Sequence, residues 1–417
     1  MKIGILGAGV TGLSVSRFLK DYFDVEVLER NVVCGGIART RDVNGIAYHV
    51  VGGHCFNSKY PEVLDFVFNK VLPRQEWNEI KRVSKICISG KEYLYPIEFS
   101  VKQIYKDNPA LGIKIAGDFL SSEDDGTYDN LEEWFVKKFG KTLAELYFIP
   151  YNKKIWGMDP QNMSPSWVKD KLPIPDKYSF FEALISEKVD NMPHAHFYYP
   201  KSNNQNTFLD ALAEGCSIRY GVNVHSLKLN SKNNRWIVNN AFEYDIIINT
   251  LPIDVLPLFI EGVSEKVINA SNLLKYNSIT NILWKTPKTN KTWTYLPESK
   301  YPYHRYIHIG SYHNPSDGYT ISESVGNRNY DDLLERTHDP FLMEPLSYNK
   351  SEHAYVVFDA NYSKTVPYIL EYLSNIGIYS IGRFGEWQYY NMDVCIKRSM
   401  ELAQLIIEGE IHKNKKL

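Results

Sequence analysis

The sequence predicts an α/β fold in which a Rossmann-like dinucleotide-binding domain is joined to a helical insertion and an antiparallel-sheet domain. Three observations predict it. An apolar run of strand length, residues 2–6, leads into Gly7, Gly9 and Gly12, an amphipathic stretch to Lys20 and a second apolar run ending at Glu29. Apolar residues in 130–147 recur at helical spacing, so 61–148 reads as mainly helical. From Ser217 the period switches to two, and strand-like runs continue through 275–360. The chain has 417 residues. At about 150 residues per domain that is two or three domains.

The N-terminal elements carry the strongest signal. A G-x-G-x-x-G spacing is weak alone and strong between a strand and a helix. Gly7 allows the tight turn, Gly9 lets backbone approach a pyrophosphate, and Gly12 lets helix pack on strand. The helix N-terminus offers free N–H groups and the positive dipole end to phosphates. Glu29 follows Gly12 by 29 − 12 = 17 residues, where a carboxylate accepts from ribose hydroxyls. A second glycine pair, Gly35 and Gly36, precedes Arg39. It admits backbone to a longer cofactor, and Arg39 can reach a phosphate or ribitol oxygen, which favours FAD over NAD.

With Gly52, Gly53, His54 and Phe56 added, this series resembles the FAD-dependent amine oxidase and protoporphyrinogen oxidase superfamily. Within it the chain is most similar to UDP-galactopyranose mutases. His49 stands where those relatives carry Asp. The resemblance implies a discontinuous FAD domain (1–64, 201–257 and 372–417), a helical domain (65–150) and a substrate domain (151–200 and 258–371). Val224 would touch the adenine, and His54 would lie against the flavin ring. The Pro-punctuated stretch 151–200 reads as loops and short strands.

Three further motifs bear on the site. Tyr151, Lys154, Trp156 and Pro160 match the mutase Y-x-x-K-x-W-G-x-D-P pattern, whose aromatic residues line the uracil site. Gly382, Arg383, Tyr389, Met392 and Asp393 match its G-R-x-G segment. There the Arg lies by flavin and diphosphate, the later Tyr contacts the diphosphate, and Met-Asp caps the flavin at a helix start. Taken by itself, Asp393 is a plain helix N-cap. Tyr303 and Arg305 lie in a P-Y-H-R resembling the mutase P-Y-T-R, whose Arg approaches the phosphates. Arg suits this work because its planar fork donates to two oxygens and keeps its charge. Two family residues are missing: an Arg where this chain has Asp170 and Lys171, and a Tyr where it has Ser324.

The resemblance implies a sugar-nucleotide pyranose/furanose mutase of surface-polysaccharide synthesis. Reduced flavin N5 is then the nucleophile, Arg383, Arg305 and His54 are the catalytic group, and NAD(P)H is a reductant. The substrate is UDP-linked and the assembly a homodimer. The same motifs fit two other classes: a flavin amine or protoporphyrinogen oxidase, and a non-catalytic relative of GDP dissociation inhibitor.

Composition excludes other classes. Lys plus Arg is 47 and Asp plus Glu is 49, a net charge of −2, which gives no global pull toward nucleic acid. Five cysteines without C-x-x-C spacing fit reduced thiols in the cytoplasm and no zinc site. No apolar stretch approaches the roughly 20 residues of a membrane span. The 30 Tyr outnumber the 19 Phe and 8 Trp together. Most are read as packing, with Tyr151, Tyr303 and Tyr389 reserved for ligand.

Overall fold

The protein is described here by a computed structural model covering residues 1–168, 176–185 and 195–410. Its organising layer is a five-stranded parallel sheet in the order Ile378–Ser380, Ile246–Asn249, Lys2–Leu6, Asp24–Glu29, Ile218–Tyr220. Three distant stretches of sequence therefore meet in one sheet. Lys2–Leu6 is central and almost wholly buried, which explains why it is an apolar run rather than an alternating one. Helices Val10–Leu19 and Met392–Glu408 pack together against it.

The second layer is a seven-stranded sheet in the order Glu344–Val356, Tyr276–Lys285, Tyr319–Val325, Arg305–Ile307, Trp293–Tyr295, Ser84–Ile88, Lys91–Leu94. It is antiparallel except where Trp293–Tyr295 runs parallel to Ser84–Ile88. A helical group covers its far end. Phe119 stacks on Phe180 and Phe139 on Phe148, both with ring centroids 4.0 Å apart.

Three sequence expectations change. The stretch 61–148 is not simply helical: Trp77–Lys81, Ser84–Ile88 and Lys91–Leu94 are strands, and the last two extend the large sheet. Their alternation is short and punctuated by charge, so it is masked by the longer helical periods around it. The stretch 151–200 is not all loop and strand. Tyr151 and Trp156 ride on helix Ile149–Trp156, which has Pro150 in its first turn and ends at Gly157 with φ +61°. Proline is tolerated there because first-turn N–H groups lack helical partners anyway. Asp393 is not the N-cap of its helix. Asn391 is, and Asp393 lies in the first turn, where its charge meets the positive dipole end.

Among the described residues all five cysteines are free, no His/Cys/Asp/Glu group could hold a metal, and no helix is long and apolar enough to cross a membrane.

The turn after the first strand has no room for a side chain at Gly12. A Cβ there would lie 2.0 Å from the Gly7 carbonyl oxygen, a backbone atom that cannot swing aside. Gly12→Ala should therefore cost about 2 kcal/mol or more, read as a lower urea midpoint with an unchanged slope.

Candidate functional site

The site begins where the parallel strands end. Gly7 turns the chain with φ +98°, and a Cβ on it would meet Thr250 Oγ1 at 2.7 Å. Gly35 and Gly36 take φ +106° and +56° and fold back on the first turn, with Gly35 N donating to Ala8 O at 2.7 Å. A Cβ on Gly36 would lie 3.1 Å from Gly9 Cα. Gly382, at φ +86°, closes the third side, where a Cβ would lie 2.3 Å from Thr11 Oγ1. The result is a cradle of bare backbone at the N-terminus of helix Val10–Leu19. Buried Asp393 and Met392 stand at its far wall, on the helix that packs beside it.

Glu29 is fixed beside this cradle. Its Oε2 accepts from Ala8 N and its Oε1 from Asn31 N, both at 2.9 Å. The segment leading to buried Val224 runs alongside, with Val222 N donating to Glu29 O. Arg39 is turned differently from its expected phosphate contact: it donates to Asp210 Oδ1 at 2.7 Å and to Cys34 O at 3.2 Å.

A cationic group faces the cradle across the Gly52–Gly53–His54 loop. At its centre is Glu323, fully buried. Arg305 donates to Glu323 Oε1 from Nε at 3.0 Å and from Nη2 at 2.6 Å. Tyr355 donates to the same oxygen at 2.7 Å, and Gly52 N donates to Oε2 at 3.0 Å. Burial alone would raise the Glu323 pKa. Arg305, with the Tyr355 hydroxyl, reverses this and holds the carboxyl well below the usual range. Arg305 Nη1 donates to no described protein atom, so one edge of the guanidinium is free for a ligand.

Arg383 also lies near Tyr355. Its guanidinium is 4.5 Å from the Tyr389 ring centroid and 5.6 Å from that of Tyr355, and these two rings stack at 5.7 Å. Nη2 donates to Ala354 O at 2.6 Å, while Nε is buried without a partner. His54 Nε2 is likewise buried and unpartnered. Burial, then the Arg383 and Arg305 charges, push the His54 pKa down to about 4, so the ring is neutral. Such orphaned atoms are what a ligand-facing wall presents.

His49 makes a local framework. Its Nδ1 accepts from His54 N and its Nε2 lies 2.8 Å from Tyr199 Oη, which places its proton on Nε2. Burial pushes its pKa down to about 3.

The aromatic candidates separate. Tyr151 is half-buried, stacked on Tyr147 at 5.4 Å and edge-on to Tyr295 at 5.5 Å. Trp156 is 2% exposed, with Tyr355, Phe358 and Tyr389 edge-on around it and Nε1 donating to Asn152. It anchors the aromatic group rather than offering a face. Tyr303 is not a ligand residue: it is fully buried in a separate core patch, its hydroxyl 2.7 Å from Thr337 Oγ1. Ser324 donates to Pro302 O at 2.6 Å, so the missing Tyr leaves a filled strand contact. Asp170 and Lys171 lie outside the described residues.

Sequence reasoning missed Tyr355 and the central role of Glu323. Neither has a motif of its own. Only the register that sets Arg305 opposite Glu323 across two strands brings them together.

Comparison with known proteins supports the fold. Residues 5–69 match the family model of an NAD(P)-binding Rossmann-like domain. The chain is 29% identical over 200 residues to the dTDP-fucopyranose mutase of Escherichia coli, 46% of this chain and 50% of that protein. It thus spans about half the length of that relative. It is 23% identical to the UDP-galactopyranose mutase of Mycoplasma genitalium, over 97% of this chain and 94% of that one. A crystal structure of reduced UDP-galactopyranose mutase superposes with a TM-score of 0.87 at 23% identity, covering 99% of this chain and 96% of the other.

Removing the Glu323 charge tests the centre of the site. Glu323→Gln leaves Arg305 without its carboxylate and should cost about 3–5 kcal/mol near neutral pH by chemical denaturation. The Glu323 pKa is depressed on folding, so its contribution is full above the ordinary carboxylate value of about 4.3 and is lost as pH falls toward the lower native value. The gap between variant and parent should close over that acid window.

Proposed function

We propose that this UDP-galactopyranose mutase-like chain is an FAD-dependent enzyme that interconverts the pyranose and furanose forms of a UDP-linked sugar. The observation that carries the reading is the pair Arg305 and Arg383, which flank Tyr355 and face the dinucleotide cradle. Two fixed guanidinium groups at half-buried positions suit an anion with two phosphates. The cradle fits FAD: its glycines leave the backbone bare, a helix N-terminus points into it, and Glu29 stands ready for a ribose.

When bound and reduced, the flavin would supply the nucleophile toward the anomeric carbon. The chain's own residues do the rest. Arg383, with Nε unpartnered, and Arg305, with Nη1 free, hold the diphosphate and offset the charge that grows as it leaves. They also keep it close enough to return, which is positioning work. Tyr389, stacked over Tyr355 beside Arg383, donates to the same oxygens. Tyr151 presents the aromatic surface for the base. The neutral His54 ring walls the flavin side without adding a charge that would compete for the phosphates.

The test is turnover with and without reduction. The purified protein should be yellow and, after dithionite or NAD(P)H, should convert UDP-galactopyranose to its furanose form, followed by chromatography. Substrate-driven bleaching with peroxide release would instead mark an oxidase. A colourless protein would mark a binding module.

Arg383→Ala should lower kcat by about 10²–10³-fold while the fold persists, and Arg383→Lys should restore only part of it. Steady-state kinetics with circular dichroism as the fold control reads both.

A further inference from the structure

His304 is a buried polar side chain that the proposed reaction leaves unused. It has no exposure, and neither ring nitrogen hydrogen-bonds to a described protein atom. Nε2 nevertheless lies 3.2 Å from Glu323 Oε1, within ion-pair range but out of line for a hydrogen bond. A buried imidazole with two idle nitrogens is costly unless another state of the site uses it.

The groups facing it are few. Glu323 faces it from the adjacent strand, Arg305 is the next residue along the chain, and Tyr151 and Lys154 face it from helix Ile149–Trp156. Lys154 Nζ is held by Leu296 O at 2.9 Å and Glu298 O at 2.8 Å. Without ligand, Arg305, Arg383 and the charged fraction of Lys154, whose pKa burial brings down to about 7, outnumber Glu323, and a proton on His304 would add to the surplus. A diphosphate esterified at both ends brings two negative charges, which removes or reverses that surplus. Arg305 must then serve phosphate and Glu323 together.

We propose that His304 is a positioning residue that takes a proton from the solvent as the sugar nucleotide binds and pairs with Glu323, so that the carboxylate stays compensated while Arg305 turns its free edge to the diphosphate. This rests on the sugar-nucleotide reading above. Burial keeps the free imidazole below its usual pKa, while the Glu323 carboxylate pulls the other way. His54 is the poorer acceptor, because no described carboxylate lies within ion-pair distance of its ring, whereas Glu323 Oε1 lies 3.2 Å from His304 Nε2.

The test has an arm without ligand. In ring-labelled protein, NMR should show His304 neutral near pH 7 in the parent and charged there in Arg305→Met, where Glu323 has lost its cation. If Arg305→Met does not fold, Arg305→Lys should show a His304 midpoint raised above the parent's. A His304 already charged in the free parent, or one unmoved in the folded Arg305 variant, would overturn the proposal. The second arm uses UDP-galactose, which lacks the terminal phosphate ionisation near pH 6. Its Kd should weaken by up to about tenfold per pH unit above neutrality in the parent, and by less than about twofold in His304→Gln. An equal slope in both would assign the proton to Lys154 or elsewhere and contradict the proposal. Failure of UDP-galactose to bind would refute the sugar-nucleotide reading, while the Arg305 arm still judges His304.

Discussion

One buried carboxylate holds the site together. Glu323 is taken wholly out of water and keeps its charge because three groups donate to it. Arg305 comes from the adjacent strand, Tyr355 from the sheet edge and Gly52 N from the glycine-pair loop, while His304 lies beside it in the turn before Arg305. An ion pair this deep is expensive to desolvate and adds little to stability when compared with a packed apolar alternative. Its use is positional. It fixes the approach of the large sheet to the loop that borders the dinucleotide cradle, and it holds Arg305 by one edge with the other edge free.

The same economy explains the aromatic residues around it. Tyr355 ties the group together, with both guanidinium groups within 6.0 Å of its ring centroid and its hydroxyl on Glu323. Trp156 and Phe358 close the back of the group, where they exclude water and strengthen each charge in it. Tyr303 and Tyr306 belong to a different packed patch. The Tyr residues here therefore serve packing in some places and lie against the Arg383 guanidinium in others.

What was legible in the sequence was local. The strand, glycine turn, helix and Glu29 lie within 29 residues and constrain one another by sterics, so the pattern could be read directly. The Arg383 segment was legible for the same reason, since its glycines, arginine and following helix are contiguous. The centre of the site was not. Glu323 and Tyr355 are 32 positions apart and meet only through strand register. Trp156 was read as a ligand surface because spacing shows which residues occur and says nothing of which face is covered. The strands at 84–94 were hidden because their partner, Trp293–Tyr295, lies some two hundred residues downstream.

A diphosphate held by Arg305 and Arg383 would sit beside a bound flavin. The flavin difference spectrum, recorded as UDP is added to the purified protein, reads that proximity. A saturable shift of the flavin bands is expected, and its loss in Arg383→Ala. Binding of UDP that leaves the flavin spectrum untouched, or a shift that survives unchanged in Arg383→Ala, would contradict that placement.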